Sequence, residues 1–177
     1  MKTYFLLLAL LVSGVVLTQN KYLTKTGTLT FEASVPSFEE VKASNNSVTA
    51  ILNADTGEFA ALALVKAFRF KNALMQEHFN ESYAESDDYP KAIFSGKIKD
   101  FALGRTNTIE GELTFHGKSK TYNDLEIEVE EQGDDLIIIA GTFVANVSDF
   151  GISIPKVVSN KLSDKVQIQF EFKLKKK

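Results

Sequence analysis

Apolar and polar residues alternate along most of this chain, which is the pattern of β-strands with one face in water. The first alternating segment carries Leu29, Phe31, Ala33 and Val35 on one face. The last segment repeats the pattern at Val166, Ile168, Phe170, Phe172 and Leu174. Similar apolar patterns predict further strands at Val48 to Leu52, Phe59 to Phe70, Lys91 to Phe101, Thr106 to Phe115, Tyr122 to Glu131 and Leu136 to Val144. The natural count is therefore eight strands.

Turn signals separate several of these segments, as at Asn53 to Gly57 and at Gln132 to Asp135. Eight antiparallel strands can close on themselves, which removes exposed edges and leaves an interior for side chains or one slender ligand. The pattern thus predicts an all-β fold, an extended eight-stranded antiparallel barrel of the lipocalin-like kind. A two-sheet sandwich fits the same strand spacing, and periodicity does not separate the two.

Two stretches interrupt the alternation. From Asn72 to Tyr83, the spacing of Met75, Phe79 and Tyr83 predicts a short amphipathic helix, which we expect to pack across one barrel end. The second stretch, residues 148–164, is apolar in part but contains Gly151 and Pro155, and we expect a long loop with a helical turn.

The N-terminal residues resemble a secretory signal peptide. Lys2 precedes an uncharged apolar run from Tyr4 to Leu17, which is shorter than the roughly 20 residues required to span a bilayer. We therefore expect residues 1–19 to be a cleaved signal, and residues 20–177 to form one domain with no membrane span. The expected location is the periplasm or the extracellular medium.

Composition narrows the function further. The chain has no cysteine, which removes disulfides, thiol catalysis and thiolate metal sites. Its net charge is −3 with charges of both signs interspersed, so nucleic acid is not an expected partner. The sequence leaves a homodimer open.

The sequence contains few signals of catalysis or metal binding. The two histidines, His78 and His116, show none of the paired spacing that places two imidazoles on one face. Acidic pairs such as Asp134 and Asp135 lack the spacing of a calcium loop. We therefore expect no catalytic residue, metal or cofactor, and a protein that is not an enzyme.

Aromatic content favours an apolar interior instead. Fourteen phenylalanines and no tryptophan give large side chains that have almost no hydrogen-bonding groups. Arg69 lies between two of them at the end of an apolar segment, where it would meet a polar head group if it faced the barrel mouth. Alternation favours the alternative, an outward-facing arginine. The expected ligand contacts are Phe68, Arg69, Phe70, Met75, Phe79, Tyr83, Tyr89, Phe94 and Phe115. Residue by residue, the alternative is that these side chains only fill the core.

Several segments resemble a known family in order and spacing. They are Met75 to Tyr83, Asp88 to Ala92 with the strand Ile93 to Ile98, Gly111 to Gly117 and Asp149 to Ile152. Together they are similar to the YceI-like family, in a form common among exported proteins of Bacteroidetes. The resemblance implies a lipocalin-like, polyisoprenoid-binding barrel.

The function expected from this resemblance is binding, transport or storage of a long-chain apolar molecule, such as a polyisoprenoid or a fatty acid or amide, inside the barrel. Two alternatives remain open at this point. One is an exported stress-response or interaction module with a filled barrel and no ligand. The other is an enzyme that acts on a lipid.

Overall fold

The computed structural model describes residues 20–35 and 40–177. Residues 1–19, on which the signal-peptide prediction falls, lie outside this range. In chain order the strands are β1 (Lys21–Ser34), β2 (Lys42–Asn53), β3 (Glu58–Leu64), β4 (Arg69–Phe70), β5 (Lys91–Lys99), β6 (Arg105–Phe115), β7 (Lys118–Glu131), β8 (Leu136–Asn146) and β9 (Leu162–Lys176). In the described part of the chain, no helix has the length and apolarity that a membrane crossing requires.

Eight of these strands form a closed antiparallel barrel. Their order is β1, β2, β3, β5, β6, β7, β8 and β9, and β1 also pairs with β9, which closes the ring. Phe31 shows the closure directly, since it lies opposite Ala43 of β2 on one side and Ile168 of β9 on the other. The predicted eight-stranded barrel is thereby confirmed, and the sandwich is excluded.

The third predicted strand, Phe59 to Phe70, is divided in the structure. Strand β3 ends at Leu64, which lies opposite Lys91, the first residue of β5. The residue before Lys91 is Pro90. Proline has no N–H to extend the ladder, and its carbonyl instead accepts a hydrogen bond from Val65 N at 2.9 Å. A 3-10 turn, Val65–Ala67, follows. The chain then forms β4, an extra two-residue strand that pairs with the first residues of β2.

A short helix follows β4, as predicted. The Asn72 side chain accepts hydrogen bonds from Leu74 N and Met75 N, and helix α1 (Ala73–His78) begins after it. The helix continues as one π-helical turn, Phe79–Tyr83. The other predicted interruption contains a 3-10 turn, Val147–Phe150, and then irregular chain as far as β9.

One end of the barrel is solid. Six buried side chains from six strands meet there, and we call them the packed layer: Tyr22, Leu52, Ile98, Val129, Ile137 and Leu174. Their exposed fractions lie between 0% and 7%. Interiors packed in this way resist any change of volume. Interior space is therefore available only toward the other end, where residues of α1 and of the 147–161 segment line a cavity.

Candidate functional site

Beyond the packed layer the barrel is hollow, with a cavity of about 460 Å³. This volume lies within the roughly 300–1,000 Å³ of small-molecule sites. Inward-facing side chains of the barrel strands form its wall, among them Leu29, Ala61, Phe94, Leu113, Leu125, Ile139, Phe143 and Phe170. The inward half of the alternating pattern thus lines an apolar chamber, while the outward half faces solvent.

Helix α1 and the π-helical turn, which together span residues 73–83, close part of the chamber, and we call them the lid. The four-residue spacing predicted from the sequence brings Met75, Phe79 and Tyr83 to the cavity lining. Phe79 belongs to an aromatic group that we call the lid cluster, made of Phe31, Phe68, Phe70 and Phe79. Its ring centroids lie 5.2 to 6.0 Å apart, which is the range of favourable aromatic pairs. The lid is therefore fixed to β1 and β4 by aromatic packing.

Polar groups reach the lining at few positions. Among the described residues, the lining is apolar apart from four side chains: His78, Tyr83, Lys161 and Ser163. His78 and Lys161 are also exposed, so the cavity meets solvent near them. This arrangement suits a ligand with a long apolar body and a polar end.

Seven of the predicted contact residues line the cavity. They are Phe68, Phe70, Met75, Phe79, Tyr83, Phe94 and Phe115. Arg69 and Tyr89 lie outside the lining. The Arg69 side chain is on the outer face, because neighbours along a strand point to opposite sides, and its Nη1 donates to the carbonyls of Lys66 at 2.6 Å and Phe68 at 3.0 Å.

Other lining residues were not predicted. Phe143, Phe170 and Phe172 come from β8 and β9, and the alternation of β9 carries enough signal to find two of them. Ile154, Val158 and Lys161 come from the irregular segment before β9. That segment has no periodicity, so the sequence does not predict which of its side chains face the cavity.

Strand glycines allow some rings to lie against the wall. A methyl group added at Gly111 would lie 2.6 Å from Cζ of Phe94, and one at Gly96, the residue opposite, would lie 3.0 Å from Cε1 of the same ring. Glycine inside a strand often marks such a close approach. The Phe94 ring therefore lies over two glycine backbones and occupies little of the chamber.

His116 forms a separate polar contact outside the lining. Its Nδ1 lies 3.1 Å from the carbonyl oxygen of Phe150, and its Nε2 lies 2.9 Å from Oε2 of Glu85. The Tyr89 ring packs on the imidazole at 4.6 Å between centroids. Because both nitrogens are engaged, His116 joins the chain after the π-helical turn to the 3-10 turn Val147–Phe150 and positions these segments.

The described residues contain no group of three or more His, Asp or Glu arranged to hold a metal ion. Glu85 and His116 form a hydrogen-bonded pair, and neither residue lines the cavity. The site is thus an apolar chamber with polar groups at its opening.

Solved structures share this architecture. The chain is similar to a polyisoprenoid binding domain from Saccharophagus degradans, with a TM-score of 0.76 at 12% identity over 90% of this chain and 99% of the other. It is similar to Burkholderia cenocepacia BcnA, with a TM-score of 0.70 at 18% identity over 85% and 96% of the two chains. The Campylobacter jejuni YCEI protein gives 0.65 at 18% identity over 100% and 99%. At these identities the likeness shows the fold alone.

No curated protein sequence matches the chain significantly. A family model described as the YceI-like domain matches residues 21–174, from the start of β1 almost to the end of β9. The match includes β1 to β8, nearly all of β9, the helix and the residues that line the chamber. The chain therefore belongs to the YceI-like family.

Proposed function

We propose that this protein binds a long-chain apolar molecule, a polyisoprenoid or fatty-acid-like chain, in the barrel chamber and carries or stores it. The observation that carries the proposal is the apolar wall around a cavity of about 460 Å³. Apolar surface removed from water contributes about 25 cal/mol per Å², so a chain that fills the chamber gains affinity along its whole buried length. The polyisoprenoid binding domain among the structural neighbours supports the same ligand class.

The polar groups of the lining orient the ligand. The exposed Lys161 and His78 side chains lie where the chamber meets solvent, whereas the Ser163 hydroxyl is already hydrogen-bonded to the backbone of Lys165. A buried polar end would lose its hydration without a matching partner, whereas a polar end beside Lys161 keeps both water and a donor. We propose that the apolar chain enters first and that its polar end stays at this opening.

The alternatives are less well supported by the geometry. A filled barrel with a purely surface function does not account for the chamber. An enzyme acting on a lipid is less well supported, because the Glu85–His116 pair lies outside the lining and the Ser163 hydroxyl, which does line the cavity, donates to the carbonyl of Lys165. We further propose that the protein works in the periplasm or outside the cell, on the ground of the apolar N-terminal run.

A cavity-filling variant tests the proposal. Ile168 of β9 lines the chamber, and Gln169 beside it is exposed on the outer face. The Ile168→Trp variant places an indole in the space that the ligand needs, so we expect loss of most binding of a fluorescent fatty acid. The matched Gln169→Trp variant should bind like the wild type. Equal binding by all three proteins would place the ligand elsewhere, and the proposal would be wrong.

A further inference from the structure

The chamber ends abruptly at the packed layer. Phe172 and Leu174 lie two residues apart on the inward face of β9. Phe172 lines the cavity, whereas Leu174 is fully buried and does not line it. Strand β8 repeats this step with Ile139 and Ile137. Residues two apart on a strand share one face, so the limit of the cavity runs between neighbouring side-chain layers.

Two phenylalanines meet across the barrel at this limit, and we call them the floor pair. The rings of Phe59 on β3 and Phe172 on β9 have centroids 5.8 Å apart. Their strands are not neighbours in the sheet, because β1 and β2 lie between them. The two side chains are only 6% and 2% exposed, although both line the cavity. The floor pair therefore spans the interior.

Gly27 of β1 provides the space for one of these rings. A methyl group at Gly27 would lie 2.5 Å from Cδ1 and 3.0 Å from Cε1 of Phe172. Any larger residue at position 27 would push the ring away from this wall. The missing side chain thus lets Phe172 lie where it meets Phe59.

From this geometry we infer that the floor pair sets the maximum length of the ligand's apolar chain. The inference rests on the proposed function and deepens it. A chain that enters from the Lys161 end gains affinity with each methylene until it reaches the floor pair. Below the floor pair the packed layer offers no space, so the additional methylenes of a longer chain remain at the opening and contribute little.

Straight-chain fatty acids of increasing length test this inference by displacement of a fluorescent fatty acid. For the wild type we expect binding to tighten about fourfold for each methylene, corresponding to ~0.8 kcal/mol per buried CH₂, and then to reach a plateau. The Phe172→Leu variant removes part of the floor, so its plateau should lie at a longer chain. The Ala61→Leu variant adds bulk just above Phe59 on the same face of β3, and its plateau should lie at a shorter chain.

Phe101→Leu is the matched control, because Phe101 packs against the core but does not line the chamber. It should leave the plateau length unchanged. If the Phe172→Leu variant does not fold, the Phe59→Leu variant provides the same test. Plateaus at the wild-type length in the floor variants and in Ala61→Leu would overturn the inference. A wild type that binds no fatty acid of any length, and no isoprenoid alcohol, would instead contradict the proposed function.

Discussion

Single phenylalanines have different roles in this barrel according to the residue beside them. Phe94 lies flat over Gly96 and Gly111, and Phe172 leans over Gly27 to meet Phe59. The sequence places such residues on the inward face by alternation, and this much could be predicted. Which ring lies along the wall and which crosses the interior could not be predicted, since that depends also on Gly111 and Gly27, which lie on other strands than the rings beside them.

The charged residues show the same limit of prediction. Arg69 attracts attention in the sequence because phenylalanines flank it, yet the alternation that turns Phe70 inward turns Arg69 outward. Lys161 lies in the irregular segment before β9, where no period indicates its direction, and it reaches the lining. The cation that reaches the lining is therefore Lys161, a residue that the sequence analysis did not single out, whereas Arg69 has the outward orientation that alternation favours.

Tyr122 provides a prediction about pH. Burial raises the pKa of its hydroxyl, and the nearby Asp149 carboxylate raises the pKa further. The hydroxyl has no hydrogen-bond partner among the described residues. Because the buried hydroxyl has lost its hydration without gaining a hydrogen bond, Tyr122→Phe should leave the free energy of unfolding near neutral pH unchanged or raise it by about 1–3 kcal/mol.

The sign of the alkaline effect follows from linkage. An unfolded tyrosine ionises near pH ~10, and the folded one only above that. Raising the pH through this interval therefore favours the unfolded wild type, but not the variant. Urea unfolding at several pH values should show that the stability of Tyr122→Phe relative to wild type is constant below about pH 10 and increases above it. A constant difference across the range would contradict the assignment.

At the scale of elements, the strands were the most predictable parts because each has a clear two-residue period. The Phe59 to Phe70 segment was the exception. Its largely apolar character hides the end of β3 at Leu64. Two hydrogen bonds determine that end: Val65 N donates to the carbonyl of Pro90, and the Asn45 side chain donates to the carbonyl of Leu64. The π-helical turn Phe79–Tyr83 had no signal in the sequence, although such turns frequently occur at functional sites.

The lid helix is too short to form alone, because isolated helices of this length are unstable in water. Its cap and the lid cluster must hold it. Asn72→Ala removes the acceptor for Leu74 N and Met75 N, and loss of such a cap costs about 0.5–2 kcal/mol.

Hydrogen exchange measures this effect locally. Amides of residues 73–83 in Asn72→Ala should exchange about 2- to 30-fold faster than in the wild type, the range that corresponds to that free energy. Asn72→Ser, which keeps a capping oxygen, is the matched control and should stay close to wild type. Identical exchange in the alanine and serine variants would mean that the cap does not hold the lid.

At the scale of the whole molecule, closure of the barrel was beyond the reach of periodicity. Closure depends on the pairing of β1 with β9, such as Phe31 opposite Ile168, and a two-residue period is the same in a barrel and in a sandwich. The resemblance to the YceI-like family, carried by short segments such as Gly111 to Gly117, indicated the barrel correctly. The division into a packed end and a hollow end follows from side-chain volume and packing, which only the structure shows.

The central claim is that the hollow end holds an apolar chain, and native mass spectrometry of the protein purified from its own host tests it most directly. We predict a stoichiometric adduct that is lost on denaturation and recovered as an apolar chain by organic extraction. Ile168→Trp from the same host should lack the adduct, and Gln169→Trp should retain it. A wild-type protein with no adduct and no extractable lipid would contradict the account.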